Sequence, residues 1–131
     1  MTRSYSVTFE ANIPVKMRDG TTTYADIFRP SSPGAFPALL QRTPYDKSSV
    51  ASRSGTIDAV RAATEGYIVA IQDVRGRYSS EGDFYPFFNE INDGYDSVQW
   101  LSGQPWCTGK VGMFGISYVG ATQWLAAKSQ P

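Results

Sequence analysis

Residues 110–120 read KVGMFGISYVG, and this stretch decides how the chain folds. Its apolar first half is typical of a strand, and a helical pattern begins just after Ser117, so Gly115 and Ser117 lie on a sharp strand-to-helix turn. The spacing follows the G-x-S-x-G pattern of a nucleophilic serine, with the second glycine one place later, at Gly120. Small residues at 115 and near 120 would let the helix pass close to the strand. Ser117 Oγ would then stand at the helix N-terminus, where backbone N–H groups favour a developing oxyanion.

Alternating strands and helices are predicted upstream of this turn. Short continuous apolar runs are typical of strands covered on both faces, as in a parallel sheet. Helix ends are predicted from capping residues and glycines. In chain order the elements are a strand at 38–40, a helix from Ser54 or Thr56 to Gly66, a strand at 67–71, a helix at 92–102 capped by Asn92 or Asp93, a buried strand at 110–115, and a helix at 118–129 with Ala121, Trp124, Leu125 and Lys128 at helical spacing.

A β-hairpin is predicted at the start of the chain. From Tyr5 to Met17 every odd position is apolar, which indicates a half-buried strand, bent or at a sheet edge near Pro14. Asp19 and Gly20 would supply the two positive φ angles of a type I′ turn, and residues 21–28 the returning strand. An antiparallel pair therefore precedes the parallel strands.

The element order predicts an α/β fold with an antiparallel start and right-handed parallel crossovers after it. No repeat or linker divides residues 1–131 into two domains. If the strand at 110–115 is central in the sheet, its far edge has no partner in this chain. An open edge would promote association, for example with a second copy as a homo-oligomer.

Composition excludes several classes of protein. The 131 residues carry 12 Lys+Arg and 12 Asp+Glu, so there is no basic field for nucleic acid or an anionic membrane. No apolar run approaches the roughly 20 residues that span a bilayer. A single cysteine, Cys107, forms no intrachain disulfide, and the polar segment 1–6 lacks the apolar core of a signal peptide. We therefore expect a cytoplasmic protein.

The chain contains no histidine. A Ser-His mechanism would need its imidazole from outside these residues, and no histidine-based metal site can form. We expect neither a metal nor a cofactor.

Several ordered motifs together resemble the cocaine-esterase and X-Pro dipeptidyl-peptidase family of α/β-hydrolases. The cocaine-esterase branch is the most similar, and the resemblance spans nearly the whole chain. The motifs are PVKMRDG at 14–20, RTPYDK at 42–47, QDVRGR at 72–77 with SEG at 80–82, QPWC at 104–107, VGMF at 111–114 and the serine turn.

The resemblance implies a role for three residues. Ser117 would be the nucleophile that forms an acyl-enzyme, and Tyr118 would give its backbone N–H to the oxyanion hole. Tyr45 resembles the family tyrosine whose phenol is the second oxyanion donor. From the residues alone, Tyr45 is equally an aromatic side chain packed under the turn at Pro44.

The family also needs an Asp and a His after the serine, and only fourteen residues follow Ser117 here. We therefore expect residues 1–131 to be the incomplete N-terminal half of one catalytic domain, inactive by itself, whose intact parent hydrolyses small-molecule esters or peptides. The alternative is a non-catalytic fragment, or a half-domain that needs a partner chain.

The remaining conspicuous side chains are predicted to be structural. An ion pair between Asp73 and Arg75 would order the loop that follows the strand at 67–71. Most of the tryptophans (Trp100, Trp106 and Trp124) and tyrosines would pack in the core or between helix and sheet, and one or two could instead line an acyl pocket. Cys107 would be a small buried residue.

Overall fold

The computed structural model describes residues 4–131. The first three residues of the polar segment behind the cytoplasmic prediction lie outside the described residues. Among residues 4–131 there is no helix with the length and apolarity needed to cross a membrane.

A five-stranded mixed sheet forms the centre of the molecule. Its strands are β1 Val7–Lys16, β2 Thr22–Pro30, β3 Phe36–Thr43, β4 Ile68–Asp73 and β5 Cys107–Met113, and they lie side by side in the order β1-β2-β4-β3-β5. β2 is antiparallel to both β1 and β4, whereas β3 is parallel to both β4 and β5. The predicted combination of an antiparallel hairpin with parallel βαβ units is confirmed.

Four helices are described: α1 Val50–Ser54, α2 Ala59–Thr64, α3 Glu90–Ser102 and α4 Tyr118–Lys128. The prediction of a single helix between β3 and β4 is wrong. Two short helices lie there, and each begins at its own capping side chain. Ser49 accepts the Ser52 N–H for α1, and Asp58 accepts the Arg61 N–H for α2.

The predicted caps of the next helix are also wrong. α3 begins at Glu90, with Asn89 as its N-cap. The Asp93 side chain is instead 2 % exposed and paired with Arg75.

Both faces of the sheet are covered. All six residues of β4 are buried, as the continuous apolar run predicted. Leu101 of α3 packs on one face with Leu40 and Ala70. Ala63 of α2 packs on the other face with Val69.

β1 is an edge strand, as predicted, but it is irregular at Asn12 and not at Pro14. Glu10 pairs with Ile27 and Ile13 with Ala25, so two residues of β1 stand opposite one residue of β2. Such a bulge moves the later odd positions to the opposite face. The apolar residues that alternate in the sequence therefore divide between the two cores, with Val7 on one face and Ile13, Val15 and Met17 on the other.

The hairpin turn differs from the predicted type I′. The Gly20 N–H donates to Met17 O, and the Met17 N–H donates to Thr21 O. Of the pair Asp19-Gly20 only the glycine has a positive φ, at 90°. This is a type I turn followed by a glycine bulge, which also closes a hairpin with the right twist.

β5 is not the buried strand that was predicted. It lies at the sheet edge, and Thr108, Gly109 and Lys110 are exposed. The prediction that Trp124 packs in the core is wrong, because this side chain is 81 % exposed. The buried residues of α4 are Val119, Thr122 and Ala126, on the face of the helix that packs inward.

Candidate active site

Ser117 lies on a strained turn between β5 and α4. It is the N-cap residue of α4, with φ 61° and ψ −127°. Non-glycine residues rarely adopt such angles, which cost roughly 1–3 kcal/mol and persist mostly at functional sites. The side chain is exposed at the surface.

The turn depends on one glycine. Gly115 has φ 128°, and a Cβ there would collide with the side chain of Val119, which is 3 % exposed. Val119 occupies the place where the strict G-x-S-x-G pattern has its second glycine. At Gly120 a Cβ would meet nothing nearer than Gly115 O at 3.7 Å. The expectation of a small residue near 120 is therefore wrong, because the helix faces the strand through Val119.

Tyr45 comes directly after β3 and faces the same turn. Its backbone N–H donates to Thr43 Oγ1 at 3.0 Å, which fixes the chain as it leaves the strand. Its phenol oxygen lies 3.3 Å from Ser117 Oγ. The side chain is 49 % exposed, so it is not a core aromatic. The neighbouring β3 and β5 thus bring together two side chains that are 72 positions apart in the sequence.

The backbone N–H of Tyr118 has no acceptor within residues 4–131. Two nearby N–H groups of α4 are occupied, because Val119 donates to Ile116 O and Ala121 to Ser117 O. The Tyr118 side chain points elsewhere, with its phenol oxygen accepting the Phe87 N–H at 3.0 Å. Its burial raises the pKa of Tyr118 to about 12. Tyr118 therefore offers one free donor beside Ser117 from its main chain and anchors α4 through its ring.

A cavity of about 320 Å³ opens beside Ser117. Its walls come from β3, α1 and the serine turn, and they include Gln41, Thr43, Ser52, Ile116 and Val119. Gln41 is 4 % exposed, and its Oε1 has no hydrogen-bond partner among the described residues.

Sequence reasoning missed Gln41. The available signal was a polar residue placed directly after the apolar run 38–40, in a strand predicted to be covered on both faces.

The charged residues around the loop after β4 act structurally, but with partners other than those predicted. Asp73 does not pair with Arg75; it accepts the Lys47 N–H and the Ser79 hydroxyl. Arg75 instead bridges two carboxylates, Asp19 in the hairpin turn and Asp93 in α3. Arg75 therefore clamps the hairpin turn to α3.

Pairing in this clamp shifts the pKa values of Asp19 and Arg75. The hydrogen bonds from Arg75 hold the pKa of the Asp19 carboxyl far below its usual range. The hydrogen bonds to Asp93 and Asp19 raise the pKa of the Arg75 guanidinium. Asp19 and Arg75 therefore stay charged at neutral pH.

A second buried pair lies next to Gln41 in the sequence. Arg42 and Glu90 are 3.6 Å apart, and both side chains are almost wholly buried. Arg42 Nε also donates to Gln72 Oε1 at 2.7 Å. Cys107 is buried with a free thiol, as predicted.

The sequence matches one protein family along most of its length. The model of the X-Pro dipeptidyl-peptidase (S15 family) matches residues 19–131. The cocaine esterase of Rhodococcus sp. (strain MB1 Bresler) is 45% identical over 127 residues, which are 96% of this chain and 22% of that protein.

Solved structures agree with these matches. A CocE/NonD family hydrolase from Staphylococcus aureus superposes with a TM-score of 0.87 at 28% identity, over 95% of this chain and 26% of that one. An α-amino acid ester hydrolase gives a TM-score of 0.78 at 29% identity, over 96% of this chain and 24% of that one. The chain spans about a quarter of the length of these relatives or less.

Proposed function

This chain belongs to the X-Pro dipeptidyl-peptidase (S15) family, and on that premise we propose that it forms the N-terminal part of the catalytic domain of a longer serine hydrolase. The relatives are hydrolases, among them a cocaine esterase. The observation that carries the proposal is the 3.3 Å approach of the Tyr45 phenol to Ser117 Oγ, on a turn that holds Ser117 at a positive φ. We refer to the longer protein as the parent protein.

In the proposed reaction Ser117 is the nucleophile. Its Oγ attacks the carbonyl carbon of an ester or amide, and its proton passes to a base. No histidine is present in these 131 residues, so that base comes from another part of the parent protein. The carbonyl reforms as the alcohol or amine departs with a proton, which leaves the acyl group on Oγ. Water then hydrolyses this ester and returns the proton to Ser117.

Two donors would stabilise the oxyanion. The Tyr45 hydroxyl and the free Tyr118 N–H flank Ser117, and each donates a hydrogen bond to the carbonyl oxygen as it becomes negative. A phenol does this without adding a net charge. Donors fixed in place before the reaction stabilise the transition state more than the substrate, and losing one typically lowers the rate by about 10²–10³-fold.

The proposed substrates are small-molecule esters or peptides, and the reaction requires no cofactor. The names of the relatives favour both an ester and an X-Pro peptide. A cytoplasmic location and the lack of a nucleic-acid partner remain predictions from the sequence.

A second candidate function is supported by one observation. β5 is an exposed edge strand, and edge strands are templates for pairing with another strand. In this alternative the chain is a non-catalytic half-domain that pairs through β5, with a partner chain or with its own copy. Light scattering on residues 1–131 tests this alternative, because a monodisperse monomer contradicts pairing through β5.

The test of the proposed reaction is the Ser117→Ala variant of the parent protein with a p-nitrophenyl ester. We expect kcat to fall by about 10⁴-fold or more, because only oxyanion stabilisation and binding remain. Ser102→Ala is the matched control, since the Ser102 hydroxyl bonds only to Gln99 O within α3. An unchanged rate in Ser117→Ala would end the assignment.

A further inference from the structure

We propose that Gln41 is a specificity-determining residue, whose side-chain amide hydrogen-bonds a hydroxyl or amide group on the acyl part of the substrate. The inference deepens the proposed function and rests on it. It assigns the cavity beside Ser117 to a polar acyl group rather than to a plain hydrocarbon chain.

The first observation is the isolation of the Gln41 amide. The side chain is 4 % exposed, and its Oε1 is buried with no partner in residues 4–131. A buried polar atom that has lost water and gained no partner lowers stability, so such groups are rare unless a ligand supplies the bond. Gln41 also lines the cavity that Ser117 lines.

A second buried glutamine, Gln72, provides a comparison, because the side-chain amide of Gln72 is hydrogen-bonded within the fold. Gln72 lies on the adjacent strand β4 and is 1 % exposed. Its Oε1 accepts from Arg42, and its Nε2 donates to Thr23 and Ser97. The two glutamines are equally buried, yet only Gln72 is fully bonded.

The other buried polar groups of the cavity wall already have partners. Thr43 Oγ1 accepts the Tyr45 N–H, and Ser52 Oγ donates to Asp46 O. Within the described residues Gln41 is therefore the one cavity-lining side chain with a buried, unpartnered polar atom.

The position of the amide favours the acyl group over the leaving group. Gln41 Nε2 is 3.5 Å from the place where a Cβ of Gly115 would stand, directly beneath the serine turn. The acyl group stays bonded to Ser117 Oγ until water releases it, whereas the alcohol departs in the first step. A cavity lined by both Ser117 and Gln41 therefore suits the group that remains attached. Ile116 and Val119 supply its apolar wall.

The experiment compares acyl groups in wild-type and Gln41→Met parent protein. The probes are the p-nitrophenyl esters of butanoate, 3-hydroxybutanoate and N-acetylglycine, so the leaving group is constant. We expect wild type to prefer at least one of the two polar esters in kcat/KM. In Gln41→Met that preference should fall by about ten- to hundredfold, with butanoate turnover retained. An equal ratio of polar to apolar ester in the two proteins overturns the proposal.

A stability measurement separates a ligand-binding role from a structural one. Gln41→Met should keep or raise the melting temperature, because methionine needs no partner, whereas Gln72→Met should lower it. Gln99→Met on the exposed face of α3 is the matched control for both measurements. A fall in Gln41→Met as large as that in Gln72→Met overturns the proposal by showing that the fold uses this amide.

The Ser117→Ala variant tells the two proposals apart. If wild type shows no turnover that depends on Ser117, both the serine-hydrolase assignment and the role of Gln41 fail. If Ser117-dependent turnover is present but the acyl preference does not respond to Gln41→Met, only the role of Gln41 fails.

Discussion

Two regions of the molecule treat their polar groups in opposite ways. At the elbow region, which comprises Ser117, Tyr45 and Gln41, a backbone angle is strained, a phenol is half exposed and a buried amide has no partner. At the clamp, where Arg75 joins Asp19 and Asp93, the guanidinium bonds both carboxylates at 2.7–3.1 Å. The charged groups of the clamp are therefore hydrogen-bonded to one another, whereas the elbow region keeps a polar atom without a hydrogen-bond partner.

The difference has a physical meaning. A buried polar group without a partner and a strained backbone both lower stability. The clamp connects a hairpin turn to a helix, so its bonds are made on folding. Under the proposed function, the open groups of the elbow region would form their bonds with a substrate. Changes at the elbow should therefore alter catalysis, and changes at the clamp should alter stability.

After Ser117→Ala, the largest effect is expected for Tyr45→Phe in the parent protein. Losing one oxyanion donor should lower kcat on p-nitrophenyl butanoate by about 10²–10³-fold. The unfolding midpoint should not change, because the ring remains and the hydroxyl is not buried. Tyr67→Phe, which removes another exposed phenol, is the control and should leave kcat unchanged. Full activity in Tyr45→Phe would remove Tyr45 from the site.

The strain at Ser117 is tested by alanine at the two glycines on either side of it, Gly115 and Gly120. Gly115→Ala should lower the free energy of unfolding by about 2–4 kcal/mol, because Cβ is added at φ 128° and against Val119. Gly120→Ala lies in α4 and should be neutral or stabilise by up to about 1 kcal/mol. Denaturant unfolding measures both.

A double variant identifies the cause of the Gly115→Ala effect. Because the collision involves the Val119 side chain, adding Val119→Ala should recover part of the lost stability. Strictly additive effects of the two substitutions would show that the backbone angle alone, and not the contact with Val119, requires glycine.

At the clamp, Arg75→Met should lower the free energy of unfolding by about 2–3 kcal/mol, because it leaves the buried Asp93 carboxylate unpaired. The kcat of the folded protein should not change. The matched control is Arg61→Met, which removes a solvent-exposed ion pair to Glu65 and should change stability by less than about 0.5 kcal/mol. A kcat that falls with Arg75→Met would contradict the division between the two regions.

The clamp also predicts a dependence on acid. Arg75 lowers the pKa of Asp19, so this contribution is present above the ordinary aspartate pKa of about 4 and is lost as the pH falls below it. The acid sensitivity of unfolding should be smaller in Arg75→Met than in wild type.

Local sequence patterns predicted the centre of the fold better than its edges. The uninterrupted apolar run of β4 determined a strand buried along its whole length. In β1 the alternation of apolar and polar residues was misleading. The bulge near Asn12 divides the apolar residues of this strand between the two faces of the sheet. In β5 a predicted buried strand is an exposed edge, since strand order depends on pairings between distant segments.

The candidate site shows the same limit. The strand-glycine-serine-helix pattern indicated Ser117, but Tyr45 was indicated only by the family resemblance. Their approach arises because β5 pairs with β3 rather than with β4, which no local pattern determines. The missing hydrogen-bond partner of the Gln41 amide could not be predicted, because the sequence of a strand does not show which side chains surround a glutamine in the fold.

The smallest expected effect concerns Tyr118, whose ring is part of the fold while its main chain faces the elbow region. Burial raises the pKa of this phenol to about 12, against about 10 in an unfolded chain. The folded state therefore holds the proton more tightly, so its stability is complete below about pH 10 and declines as the pH rises towards 12. Denaturant unfolding of wild type and Tyr118→Phe between pH 8 and about 11.5 isolates this group, because the two proteins differ only in this phenol. The stability advantage of wild type should shrink with rising pH, and kcat near neutral pH should change little, because the N–H that faces Ser117 belongs to the main chain. A difference in the free energy of unfolding that stays constant with pH would mean that the phenol is as well solvated in the folded state as in the unfolded chain. The ring of Tyr118 would then belong with the open groups of the elbow region.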